Sequence, residues 1–79
     1  MNVEIITPDK TLYNGEAKSV TMPGIGGSLG ILENHAPMIT ALKPGEVIVT
    51  NAKGEESLFS VVNGTAEVLN NKVLLLVEQ

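Results

Sequence analysis

The sequence predicts an all-β domain, a flattened barrel or sandwich of many short strands, and three observations carry that expectation. Its apolar runs are short and rich in Val, Ile and other β-branched residues. Tight-turn pairs divide these runs at intervals of about one strand length. No window longer than twelve residues keeps a 3.6-residue apolar period, so long helices are not expected.

Taken in order, the turn signals are Asn14-Gly15, Gly24 to Gly27, Lys53-Gly54, Asn63-Gly64 and Asn70-Asn71. They place the first two strands at 2–7 and 10–14, and a third at 17–22 ahead of the glycine cluster. Strands at 27–31 and 37–42 flank a loop holding the only histidine, His35. The segment HAPMITAL, which runs from that loop through the second of these, is also compatible with a helical turn opened by its proline. Strands at 45–51 and 56–62 flank the charged tip Lys53-Gly54-Glu55-Glu56, a solvated turn to which no function attaches. Strands at 65–69 and 72–78 complete the chain. The last, KVLLLVE, is apolar on both faces, as expected of a strand buried between two layers, although its apolar run alone does not exclude a helix. So many strands in 79 residues must hide their edges by closing on themselves or stacking as two sheets.

Length and composition bound the function. One small domain, 1–79, is expected, with a core only marginally self-sufficient. There is no cysteine, so no disulfide staple and no sign of an oxidising compartment. A net charge of -4, no arginine and two aromatic residues leave no footprint for nucleic acid. The N-terminus lacks the pattern of a secretory signal, and no apolar run has the length of a membrane span.

Candidate chemical motifs are weak. PGIGGSLG has Leu29 where the third glycine of a dinucleotide loop belongs, and no Gly-Lys-Ser/Thr follows, so Gly24, Gly26 and Gly27 are read as supplying positive φ to a turn and no cofactor is expected. Ser28, Glu33 and His35 hold the residue types of a hydrolytic triad, but they crowd into eight residues without a nucleophile elbow, and no catalytic residue is expected among them. One histidine, no cysteine and no calcium-loop spacing argue against a metal. The imidazole is read as bonding loop backbone or a partner. Of the three methionines, Met38 beside Pro37 and Ile39 is a candidate adaptable contact, although core packing suits all three.

The order Leu29-Gly30-Ile31, His35-Ala36-Pro37, two apolar residues, Thr40-Ala41 and Lys43-Pro44-Gly45 resembles the epsilon subunit of F-type ATP synthase. The resemblance extends to Val3 through Pro8, Leu12 through Ala17, Phe59 through Gly64 and Ala66-Glu67-Val68, essentially the whole chain. One departure is Leu32-Glu33-Asn34, where many relatives place an aromatic residue, Pro and Gly before the histidine. The resemblance implies a β-sandwich of two five-stranded sheets in the central rotor stalk, a noncatalytic part that fastens the gamma subunit to the ring of c subunits. It implies that Gly27, Ser28 and Leu29 face the c ring and that His35, Met38 and Thr40 face gamma. It implies membrane association only through the complex, at the cytoplasmic face of a bacterial inner membrane or its equivalent. Typical relatives continue into a C-terminal pair of helices that can restrain hydrolysis, whereas the pattern here ends in a strand, so those helices are not expected. The competing possibilities are a stand-alone small β-barrel for a ligand or oligonucleotide, and a small hydrolase at His35.

Overall fold

In the segment NVEII the alternate residues Val3 and Ile5 lose all exposure to solvent, while Asn2, Glu4 and Ile6 stay partly open. That period of two is the signature of a pleated strand with one face on a core. The computed structural model describes residues 1–79, which form nine strands without a helix. They are β1 (Asn2–Ile6), β2 (Thr11–Glu16), β3 (Ser19–Gly24), β4 (Gly27–Leu32), β5 (Met38–Leu42), β6 (Gly45–Thr50), β7 (Glu56–Val61), β8 (Asn63–Leu69) and β9 (Lys72–Glu78).

The strands run in the order β2-β1-β9-β8-β5-β3-β6-β7, with β4 on β3. The β5 to β3 link is a single residue pair, Gly24 opposite Leu42, so the sheet folds there into two halves. One half has five strands, β2-β1-β9-β8-β5, and the other has four, β4-β3-β6-β7. This is the expected flattened barrel or sandwich, with one of its two halves a strand shorter. β1 and β9 pair in parallel, and every other pair is antiparallel. The inner faces enclose sixteen apolar residues, among them Val3, Ile5, Val20, Met22, Ile31, Val47, Val73 and Leu75, with no polar or charged side chain buried. Each fully buried Val, Leu or Ile contributes about 1.5–3 kcal/mol.

Several sequence expectations change. Asn14-Gly15 is not a turn: both residues lie inside β2, opposite Glu4 and Val3. The chain reverses earlier, at Thr7 to Lys10, where the Thr7 N–H donates to the Lys10 carbonyl at 2.8 Å and the Thr7 Oγ1 accepts from the amides of Asp9 and Lys10. Asn63-Gly64 is likewise the start of β8. After β7 the chain crosses between halves at Val62, whose N–H donates to the Glu78 carbonyl at 2.9 Å, and Gly64 lies opposite Val77. Glycine is required there because a Cβ would collide with the Leu76 carbonyl oxygen and lie 2.9 Å from Val77 Cα.

The glycine cluster also divides differently. β3 continues to Gly24, so the turn shrinks to Ile25-Gly26, and of the three glycines only Gly27 has positive φ, 137°. At Gly24 the constraint is space, since a Cβ would lie 2.8 Å from both the Gly27 carbonyl and Leu29 Cδ1.

Candidate functional site

Because side chains alternate across a strand, the registers of β1, β9, β8 and β5 set three rows of residues across the outer face of the five-stranded half. One row is Ile6, Leu76, Thr65 and Ala41. The next is Glu4, Leu74, Glu67 and Ile39, and the third is Asn2, Lys72 and Leu69. Ile39 is 75% exposed, and Leu69 and Leu76 are each 49% exposed. Single exposed apolar residues are ordinary, but neighbours grouped on one flat face mark a surface that expects a partner.

β9 explains how the sequence announced this face. Its apolar residues do point both ways, but only Val73, Leu75 and Val77 enter the core. Leu74 is half-buried and Leu76 exposed, so no second layer of this chain covers them. The strand expected between two layers is covered on one side only.

At one end of β5 stands the His35 loop. The Glu33 carboxylate pairs with the Met1 ammonium and accepts from Asn71 Nδ2 at 3.0 Å, while the Asn34 N–H donates to Asn71 Oδ1 at 2.8 Å. The ammonium also donates to the Ala17 carbonyl at 3.1 Å and lies 3.6 Å from a Glu16 oxygen. Its bond to Glu33 holds the ammonium pKa above the usual value, and the same ammonium, with Asn71, holds that of Glu33 below the usual carboxylate value. Asn34 has φ 60°, a left-handed conformation that glycine adopts freely and asparagine tolerates. Glu33 and Asn34 thus set the geometry of this loop and tie it to the β8 to β9 turn.

His35 is half-buried, its N–H donating to the Leu32 carbonyl at 3.2 Å. Its Nδ1 lies 2.7 Å from the Ala36 carbonyl oxygen, which only accepts, so Nδ1 carries the proton and the other nitrogen of a neutral ring is left as an acceptor. No hydrogen bond joins His35 to Ser28 or Glu33, and the Glu33 carboxylate is already engaged, so the three residues do not form a relay. No group of three or more His, Asp or Glu side chains converges in the way a metal site requires.

At the other end of β5 the β3 to β4 hairpin projects, with Ile25 67% exposed at its tip and its N–H bonded to the Ala41 carbonyl. Ser28 is exposed there, whereas Gly27 and Leu29 are half-buried and Leu29 packs on the core. Met38 and Thr40 are half-buried, Met38 packing on the core, so the large apolar side chain that β5 leaves open to a partner is Ile39 between them. Sequence inspection missed Ile39, Leu69, Leu74 and Leu76 as surface residues, although the two-sided apolar pattern of KVLLLVE was the signal for Leu74 and Leu76.

Residues 1–79 match the family described as the ATP synthase Delta/Epsilon chain, beta-sandwich domain. The chain is 40% identical over 77 residues to the ATP synthase epsilon chain of Dichelobacter nodosus, covering 98% of this chain and 54% of that one. It is 46% identical over 77 residues to that of Gloeothece citriformis, covering 98% and 55%. The match to that of Chlorobaculum tepidum is 39% over 77 residues, covering 98% of this chain and 88% of that relative. Apart from that shorter relative, the chain spans little more than half the length of these proteins.

The fold superimposes on a chain of the Euglena gracilis mitochondrial ATP synthase OSCP/F1/c-ring assembly, with a TM-score of 0.91 at 20% identity, covering 98% of this chain and 49% of that one. On a chain of the Tetrahymena thermophila central stalk and c-ring it gives 0.84 at 22% identity, covering 100% and 63%. The family match spans residues 1–79 and the fold is shared along the same length, and the chain belongs to the family of ATP synthase delta/epsilon chain β-sandwich domains.

Proposed function

We propose that this domain is a noncatalytic part of the central stalk of an F-type ATP synthase, fastening the gamma subunit to the c ring so that proton-driven rotation of the ring becomes torque on gamma and drives ATP synthesis. The observation that carries this is the uncovered apolar face of the five-stranded half, with Ile39, Leu69 and Leu76 open to solvent beside the half-buried Leu74. Gamma docks on that face, and His35 at its edge offers an imidazole nitrogen to the same partner. The β3 to β4 hairpin, with Ile25 and Ser28, meets the polar loops of the c ring at the far end of β5.

Such a part needs shape, apolar contact and a rigid frame rather than reactive groups. A core of sixteen residues also gains stability from partner binding, which stabilises the folded state by mass action. The chain has no helix long and apolar enough to cross a membrane. Its place at the cytoplasmic face of a bacterial inner membrane, or an equivalent membrane, comes through the complex. Within residues 1–79 the nine strands include no helix to extend along gamma, so the role assigned to these residues is coupling, not braking.

The test is co-purification with gamma by size-exclusion chromatography, using the wild-type chain and Ile39→Asp. A stable complex for the wild type, lost in a folded Ile39→Asp variant, is expected. Failure of the folded wild-type chain to bind gamma overturns the proposal.

A further inference from the structure

Glu67 occupies the middle of the apolar face. It stands opposite Leu74 on β9 and Ile39 on β5, with Thr65 and Leu69 two residues away on its own strand. It lines three separate shallow clefts, which between them are walled by Ile39, Leu69, Leu74, Leu76, Pro37 and Lys72. Its carboxylate has no ionic partner, because both ion pairs of the chain are made by the Met1 ammonium. Lys72, paired with Leu69, sits one diagonal step away, a separation of about 7–8 Å between residues, and does not close on it.

A partner seated on Ile39, Leu69 and Leu74 strips water from this carboxylate. An ionised carboxylate without water or a counter-charge is costly, so an entirely apolar partner surface would bind poorly here. The wider face has the same sign, with Glu4, Glu67 and Glu78 against Lys72. We infer that Glu67 is a specificity-determining residue of the docking face, receiving an Arg or Lys side chain that gamma presents from the middle of an apolar patch. The inference rests on gamma docking to this face, as proposed above. The apolar rim then supplies the contact area, and the single ion pair fixes the position at which the two flat surfaces meet, since any slip leaves two desolvated charges unpaired.

The experiment measures the affinity of purified gamma for the wild-type chain, Glu67→Gln, Glu67→Leu and Glu67→Lys, each at two or more salt concentrations. Glu67 is exposed in the free domain, so circular dichroism and thermal unfolding should show all four folded. Removing one member of a desolvated charge pair is expected to weaken binding about 30-fold or more in Glu67→Gln, with Glu67→Lys weaker still. The salt dependence of the remaining affinity should fall. Unchanged or tighter binding by Glu67→Gln and Glu67→Leu would mean that the carboxylate is merely desolvated or left in water, and overturns the inference while leaving gamma docking intact. A folded wild-type chain that does not bind gamma overturns both.

Discussion

Tyr13 and Phe59 meet edge to face, ring centroids 6.1 Å apart and planes inclined at 70°, and so join β2 to β7, the two ends of the strand order. Both rings also pack on the core. The chain's only two aromatic residues therefore close by side-chain contact a seam that no backbone ladder spans. Aromatic pairs of this kind contribute about 0.5–1.5 kcal/mol beyond their buried area. A double-mutant cycle of Tyr13→Leu and Phe59→Leu, followed by urea unfolding, should give a coupling energy in that range. Additivity of the two losses would show that the rings pack independently.

Gly64 and Gly26 should respond oppositely to the same substitution. Gly64→Ala drives a methyl group into the Leu76 carbonyl and the Val77 backbone, and the expected loss is about 1–3 kcal/mol. Gly26→Ala meets no atom within 4 Å, and its φ is not positive, so stability should change by about 0.5 kcal/mol or less. Denaturant midpoints decide the matter, and equal losses at both sites would contradict the crossover geometry at Val62 to Gly64.

These two glycines also show where the sequence was legible. Short β-branched apolar runs between turn signals revealed every strand, with errors only at the ends. Asn14-Gly15 and Asn63-Gly64 were misread as turns because local turn preference cannot see the ladders to β1 and β9 that hold them extended. The parallel pairing of β1 with β9 left no local signal, since it joins residues 70 positions apart. At the candidate site the loop marked by His35 was visible, whereas Ile39 was not singled out, because the side of the strand it takes is defined only by the register of β5 with β8. The Met1, Glu33 and Asn71 network was invisible for the same reason, its members being far apart in the chain.

The Glu33 contacts predict a pH window for stability. The folded-state pKa of Glu33 lies below its ordinary value of 4.5, so this contribution is complete above about 4.5 and is lost as pH falls through the folded value. The ammonium pKa lies above its ordinary value of 8.0, so its contribution is complete below about 8.0 and is lost as pH rises through the folded value. Thermal midpoints of the 79-residue chain should therefore hold a plateau between these limits and fall on both sides. Glu33→Gln should lower the plateau and flatten both flanks. A variant whose pH profile parallels the wild type would remove this pair from the account.

His35→Ala separates folding from recognition. The ring's one hydrogen bond reaches only its neighbour Ala36, so the unfolding midpoint should barely move. Affinity for gamma should fall by about 1 kcal/mol, roughly fivefold, for the loss of one polar contact. Titration and thermal unfolding of the same sample distinguish the cases, and lost stability with unchanged affinity would confine His35 to the loop.

The central claim is that the outer face of the five-stranded half, not that of the four-stranded half, receives gamma. The most direct measurement is amide hydrogen exchange, or chemical-shift mapping of the labelled domain, in the free chain and in its complex with gamma. Protected or shifted amides should cluster at Ile39, Leu69, Leu74 and Leu76 and in the His35 loop, leaving unchanged Ile48 of β6 and Leu58 of β7, which pair on the outer face of the four-stranded half. A complex that instead protects β6 and β7, with β5, β8 and β9 as in the free chain, would contradict it.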